Sequence, residues 1–296
     1  MSMGIDDIWI FACACLVAIP CTILGCFLVL RNMSMIGDAI GHAVLPGIFC
    51  AYYFYHSKAT FPVLIGASLS GLAATFLIQW IHKKVKLQSD ASIGISYTLF
   101  FAIGVILVSA FGAQADIDQD CILHGEIAQI PLDTLSLNDG FSLGPRQFWM
   151  LLGNTLLVVA FCLLGYRALW STSFDEHFIK SIGIGVLFWQ FSLMGMVSLT
   201  SVVSFESVGA ILVIVFLVGP ASTAYLIAKQ LNKMIWWSIL FAIHACFWGY
   251  LAAILFDGSI AGSIATTMGI QFFVVFFFLK WAQNSSNKSL DLQDYE

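Results

Sequence analysis

Asp38 and His42 stand four residues apart in the run LRNMSMIGDAIGHAVLPG, residues 30–47. On a helix that spacing puts both side chains on one face. A carboxylate and an imidazole so placed can grip one divalent transition-metal ion. Both lie in a stretch apolar enough to enter a membrane, where ionisable groups are costly and tend to be functional. The chemistry of the pair leaves three readings open: a metal-ligand pair, a neutral histidine hydrogen-bonded to Asp38 that holds the helix in place, and a proton relay, since imidazole titrates near neutral pH. Gly37 and Gly41 form a G-x-x-x-G pair on an adjacent face, whose ordinary use is close helix packing. Pro46 and Gly47 would loosen the helix just beyond the pair and offer backbone carbonyls to a cavity.

Two other groups could meet a cation. His124 lies in an acidic loop and could hand an ion inward, although a solvated loop histidine is the simpler reading. Glu206 begins an apolar segment, where it either faces a pathway or serves as a helix-start acid. His244 sits among Phe and Trp residues and reads as a packing histidine; His56, His82 and His177 lie near segment ends and need no special role.

The elements that must position these groups are membrane helices. The chain has 296 residues, 60% hydrophobic and only 10% charged, whereas soluble domains carry about 25% charged residues. A soluble fold of this length could not hide so much apolar surface in one core. The net charge of -5 therefore says little about partners. The N-terminal run MSMGIDDIWI places Asp6 and Asp7 where a cleavable signal would be basic, and the first apolar stretch suits a spanning helix. Seven of the eight cysteines lie in apolar stretches and only Cys121 in a polar loop, so neither a disulfide framework nor a zinc site is implied.

Nine apolar segments are candidates for crossing: 8–30, 34–56, 61–82, 92–111, 148–170, 181–204, 206–230, 234–256 and 260–281. The second, with Asp38, His42 and Pro46, is expected to be distorted. The sixth and seventh nearly abut, so one of them is expected to be re-entrant or broken. With the N-terminus outside, the inner loops and tail carry Arg31, Lys83, Lys84, Lys86, Arg167, Lys180, Lys229, Lys233, Lys280 and Lys288, while the outer loops carry Lys58 and Arg146. Ten against two is the asymmetry that sets topology, and it supports an odd number of spans with the C-terminus in the cytoplasm. The longest loop, 112–147, then falls outside and is acidic. Residues 1–282 read as one transmembrane domain, and the polar tail 283–296 as a disordered cytoplasmic extension. No G-x-x-x-x-G-K-[ST] phosphate loop is present, so any ATP that powers the protein must bind to another chain.

The run IGDAIGHAVLPG resembles the signature of the metal-ion ABC permeases, usually GDA-x-SHAVLPG, with Gly41 in place of the serine. Further blocks are similar in the same order: 89–109 to the family's fourth helix, DIDQDCILHGEI (116–127) to its acidic loop, SFDEHFIKSIGI (173–184) to its cytoplasmic SFD segment, and SFESVGAILVIVFLVGPASTAYLI (204–227) to the helix with a Pro-Ala-Ser/Thr turn at Pro220. The resemblance covers nearly all of residues 10–280, and its first and last blocks are the specific ones. It implies an all-α polytopic membrane protein, a bundle of about nine transmembrane helices like the type II ABC importer permeases, in the bacterial inner membrane. It implies two permeases side by side, identical or paralogous, two cytoplasmic ATPases and an external metal-binding protein. The substrate would be manganese, zinc or iron, with no permanently bound cofactor and no ATPase site in this chain. Asp38 and His42 would be the intramembrane ligands. Phe174, Asp175 and Glu176 would belong to the coupling helix that docks on an ATPase; the alternative for that stretch is an ordinary loop with Asp175 capping a helix. Gly37, Gly41, Pro46, Gly47 and Pro220 would be helix-packing positions.

Two other functional classes compete. A proton-coupled secondary transporter would use Asp38 and His42 to carry protons, and such proteins often show inverted repeats, which are not evident here. An intramembrane metalloenzyme would need a motif such as H-E-x-x-H or a nucleophile with a base in reach, and neither is visible.

Overall fold

The computed structural model describes residues 5–55, 60–111, 127–137, 141–174 and 185–293. Ten α-helices carry the described chain: α1 Ile5–Leu30, α2 Ile36–Ala43, α3 Leu45–Tyr55, α4 Thr60–Val85, α5 Ser89–Phe111, α6 Arg146–Phe174, α7 Val186–Val208, α8 Ala210–Ile227, α9 Leu231–Phe256 and α10 Ile260–Gln293. Eight of them are long and apolar enough to cross a membrane. The other two, α2 and α3, are the halves of the second expected segment, split at Val44. Between α5 and α6 a 3-10 turn, Ile127–Leu132, leads into a small antiparallel hairpin, β1 Thr134–Leu137 with β2 Phe141–Pro145. Ile127 and Ile130 of the turn are buried.

α1 is the central post, packed against α6, α7, α8 and α9. Its buried face carries Cys13, Val17, Cys21, Leu24 and Leu28. Small residues along this helix let its neighbours come close, which is how helices associate where lipid removes the hydrophobic drive.

The chain has six prolines, three of which interrupt the body of a spanning segment: Pro20, Pro46 and Pro220. A proline has no N–H for the carbonyl four residues earlier. For Pro20 that carbonyl belongs to Leu16, and the Thr155 hydroxyl of α6 donates to it at 2.8 Å. For Pro220 it belongs to Phe216, and the Thr22 hydroxyl of α1 donates to it at 3.2 Å. Neighbouring helices thus repair two breaks that would be expensive in a membrane interior.

Polar contacts pair the helix ends that an up-and-down path brings together. At one end Arg31, just past α1, donates to Thr172 and Ser173 in the last turn of α6 at 2.7 and 3.0 Å. At the same end Lys83 of α4 donates to Gln190 of α7 at 3.2 Å. At the opposite end the Tyr250 hydroxyl of α9 donates to Asp7 of α1 at 2.6 Å, and Trp9 packs edge-on against Phe148 at 5.1 Å. Exposed tryptophans flank both ends, Trp80, Trp170, Trp236 and Trp281 on the Arg31 side and Trp149 and Trp248 on the other, as interfacial aromatics do.

Two boundaries differ from the sequence-based expectation. The sixth and seventh segments are separated by Gly209 rather than at residue 205, because Gly209 alone adopts the φ of 80° that the elbow needs. Glu206 therefore lies in the last turn of α7 and does not open the next helix. α10 also continues to Gln293, into the segment that composition reads as a tail; once a helix is nucleated, each added residue costs little.

Candidate metal pathway

α2 is only eight residues long, and one face of it is buried: Ile36, Gly37, Ala39, Ile40, Gly41 and Ala43. A Cβ on Gly37 would lie 2.6 Å from Leu217 Cδ1 of α8, and one on Gly41 would lie 3.4 Å from Phe205 Cζ of α7. The glycines let α2 sit against these two helices, and the opposite face points Asp38 and His42 toward α5. The His42 ring is flanked by Tyr97 at 5.7 Å and Phe101 at 5.5 Å. Tyr97 and Phe101 lie near the middle of α5, and Ile40 packs beside Gly71 near the middle of α4. The pair is therefore about half-way through the bundle.

His42 Nε2 lies 3.6 Å from Asp38 Oδ1, and the side chains are 39% and 41% exposed in the single chain. Among the described residues no third His, Cys, Asp or Glu joins them to form a closed metal cluster. The pair is open to one side, with both side chains partly exposed.

The backbone changes character immediately after His42. The α2 ladder ends where the Val44 N–H reaches the Ile40 carbonyl at 3.1 Å, and α3 begins with the Ile48 N–H on the Val44 carbonyl at 3.0 Å. The Ala43 carbonyl accepts from the Ser70 hydroxyl of α4 at 2.6 Å. Pro46 and Gly47 are buried at the start of α3. A Cβ on Gly47 would collide with the Gly66 carbonyl, so α3 and α4 touch backbone to backbone here.

The remaining residues singled out from sequence fall elsewhere. Phe174 is the last residue of α6, 58% exposed with its ring against Trp170. Asp175, Glu176 and the rest of the SFD stretch lie outside the described residues, as does His124. Glu206 is exposed, with Arg146 and Asp133 as charged neighbours; Phe205, the residue before it, is the ring that covers Gly41. Pro220 is buried within α8. Sequence reasoning missed the aromatic flank of His42 and the threonines that serve Leu16 and Phe216, because each comes from another helix. Prolines inside apolar segments are the one sequence feature that calls for such partners, since each frees the carbonyl four residues earlier.

A family model described as the ABC 3 transport family matches residues 8–279. The chain is 40% identical over 272 residues to the manganese transport system membrane protein MntD of Bacillus subtilis, covering 92% of each. It is 35% identical over 268 residues to the zinc transport system membrane protein TroD of Treponema pallidum, covering 90% of this chain and 72% of that one. Its fold is similar to a chain of the solved structure of PsaBC from Streptococcus pneumoniae in complex with Fab, with a TM-score of 0.73 and 32% identity over 92% of this chain and 91% of that one.

Proposed function

We propose, from the premise that this chain belongs to the ABC 3 transport family, that Asp38 and His42 bind the ion it carries. The protein is a multi-pass permease subunit of a metal importer. The relatives named for manganese and zinc transport set the substrate class, a divalent transition metal. The observation that carries the site is the Asp38–His42 pair, 3.6 Å apart on a broken helix half-way through the bundle.

A carboxylate at that depth is costly without a counter-charge, and a divalent cation supplies one. His42 must be neutral to ligate it. Two ligands hold such an ion weakly, which suits a site that must also release it. Side chains this exposed on a membrane helix need cover, and a second permease chain against the α2–α5 face would provide both cover and further ligands.

ATP is hydrolysed by partner chains in this reading. Residues 173–174 close α6 and residues 175–184 follow it in sequence, at the end of the bundle that carries Arg31, Lys83 and Lys84. The excess of basic residues supports the cytoplasmic side of a bacterial inner membrane for that end, where Phe174, Asp175 and Glu176 would meet the ATPase. Glu206 and the acidic loop with His124 would then lie on the entry side, facing an external metal-binding protein.

The test is uptake of manganese(II) and zinc(II) by cells that carry the full complex. Asp38→Ala and His42→Ala abolish uptake but preserve membrane insertion. Asp38→Asn is the sharper variant, since it keeps shape and hydrogen bonding and removes only the charge. Near-parental transport by Asp38→Asn would remove the pair from the pathway.

A further inference from the structure

The three prolines that interrupt spanning segments are not treated alike. The Leu16 carbonyl left by Pro20 takes the Thr155 hydroxyl, and the Phe216 carbonyl left by Pro220 takes the Thr22 hydroxyl. The carbonyl left by Pro46 is that of His42. No hydroxyl or N–H meets it among the described residues. The nearby Ser70 hydroxyl goes instead to the Ala43 carbonyl at 2.6 Å. Of the three carbonyls freed by these prolines, the one without such a donor is therefore on the residue whose ring is a candidate metal ligand.

We propose that the main-chain carbonyl of His42 is an oxygen donor to the passing ion, released for that use by Pro46. The proposal rests on the reading of Asp38 and His42 as the metal pair and adds a further donor beside it. A helical carbonyl points toward the C-terminus, so this one stands on the far side of the pair, where α2 breaks, and an ion moving on from Asp38 and His42 along the helix would meet it. A broken membrane helix exposes backbone carbonyls to cations in this way. An unserved carbonyl inside a membrane is costly, and an ion or its water would recover that cost.

The added donor bears on selectivity. Carboxylate and carbonyl oxygens suit harder ions such as manganese(II), whereas zinc(II) is content with few ligands and imidazole. The carbonyl thus biases the pathway toward manganese(II).

Two variants change this oxygen without touching either side chain. Pro46→Ala supplies an N–H that can occupy the carbonyl. Replacing Ala43 by lactic acid turns the bond after His42 into an ester, which makes its carbonyl a weaker donor. The same ester at Ala39 is the control for loss of one helix hydrogen bond. In the full complex, the first two variants raise the KM for manganese(II) uptake about ten-fold, the scale of one charge-assisted hydrogen bond or ion contact. They shift the zinc(II) concentration that inhibits this uptake much less, and the Ala39 ester changes neither. A parental KM in both variants would overturn the proposal, as would KM and zinc inhibition moving in step. Full transport by Asp38→Asn would instead overturn the metal pair itself, so the two failures are distinguishable.

Discussion

The Thr155 hydroxyl donates to the Leu16 carbonyl at 2.8 Å, one turn before Pro20 on a different helix. It also donates within its own helix toward Leu151, at the same distance, so the proton is shared between a local and a cross-helix acceptor. Thr155→Val keeps the shape and removes the donor. It lowers the stability of the purified protein by about 1–3 kcal/mol, the cost of a buried unserved carbonyl. In a Pro20→Ala background the restored N–H serves Leu16, and Thr155→Val costs much less. Thermal unfolding of the four proteins of this cycle measures the difference; equal costs in both backgrounds would refute the repair.

Arg31 combines two roles that a lysine separates. Its guanidinium reaches Thr172 and Ser173 through two nitrogens, a fork that lysine cannot reproduce. Arg31→Lys keeps the positive charge and hence the topology. It lowers the unfolding midpoint by the equivalent of about 1 kcal/mol, the usual worth of a net hydrogen bond. Reporter fusions and a melting curve on the same variant read the two effects separately.

Reporter fusions also test the path of the chain. Fusions after residues 86, 130 and 285 read inside, outside and inside. A cytoplasmic signal at 130 would contradict the charge asymmetry from which the orientation follows.

Coupling is tested at the end of α6. Asp175→Arg leaves the permease inserted, weakens its recovery of the ATPase chains in a pull-down and stops transport. Normal assembly with normal transport would exclude Asp175 from the coupling contact.

Much of this architecture was legible from composition and charge, because apolar length and basic flanks report directly on the membrane. Asp38 and His42 were legible for the same reason, since two ionisable groups one turn apart stand out in an apolar run. The elbow at Gly209 was placed several residues early because Glu206 looked like an interface residue, whereas the backbone turns where a glycine permits a φ of 80°. Tyr97, Phe101, Thr22 and Thr155 were not legible in their roles. Each acts across a helix interface, and no local pattern encodes which helices meet.

The split of the second segment also bears on how the protein enters its membrane. α2 and α3, of 8 and 11 residues, are each too short to span, and together they carry Asp38, His42 and a proline, so a translocon would hold this stretch poorly by itself. α1 and α4 are long apolar helices that must run in the same direction, with Arg31 after the first and Lys83 and Lys84 at the end of the second. If α2 and α3 stayed out of the bilayer, one of these basic ends would have to be dragged across it. Retention of both charges on one side forces the weak segment through, and the Gly47–Gly66 contact gives it a surface to enter against. The weak segment is thus held in the membrane by the charges on either side of it.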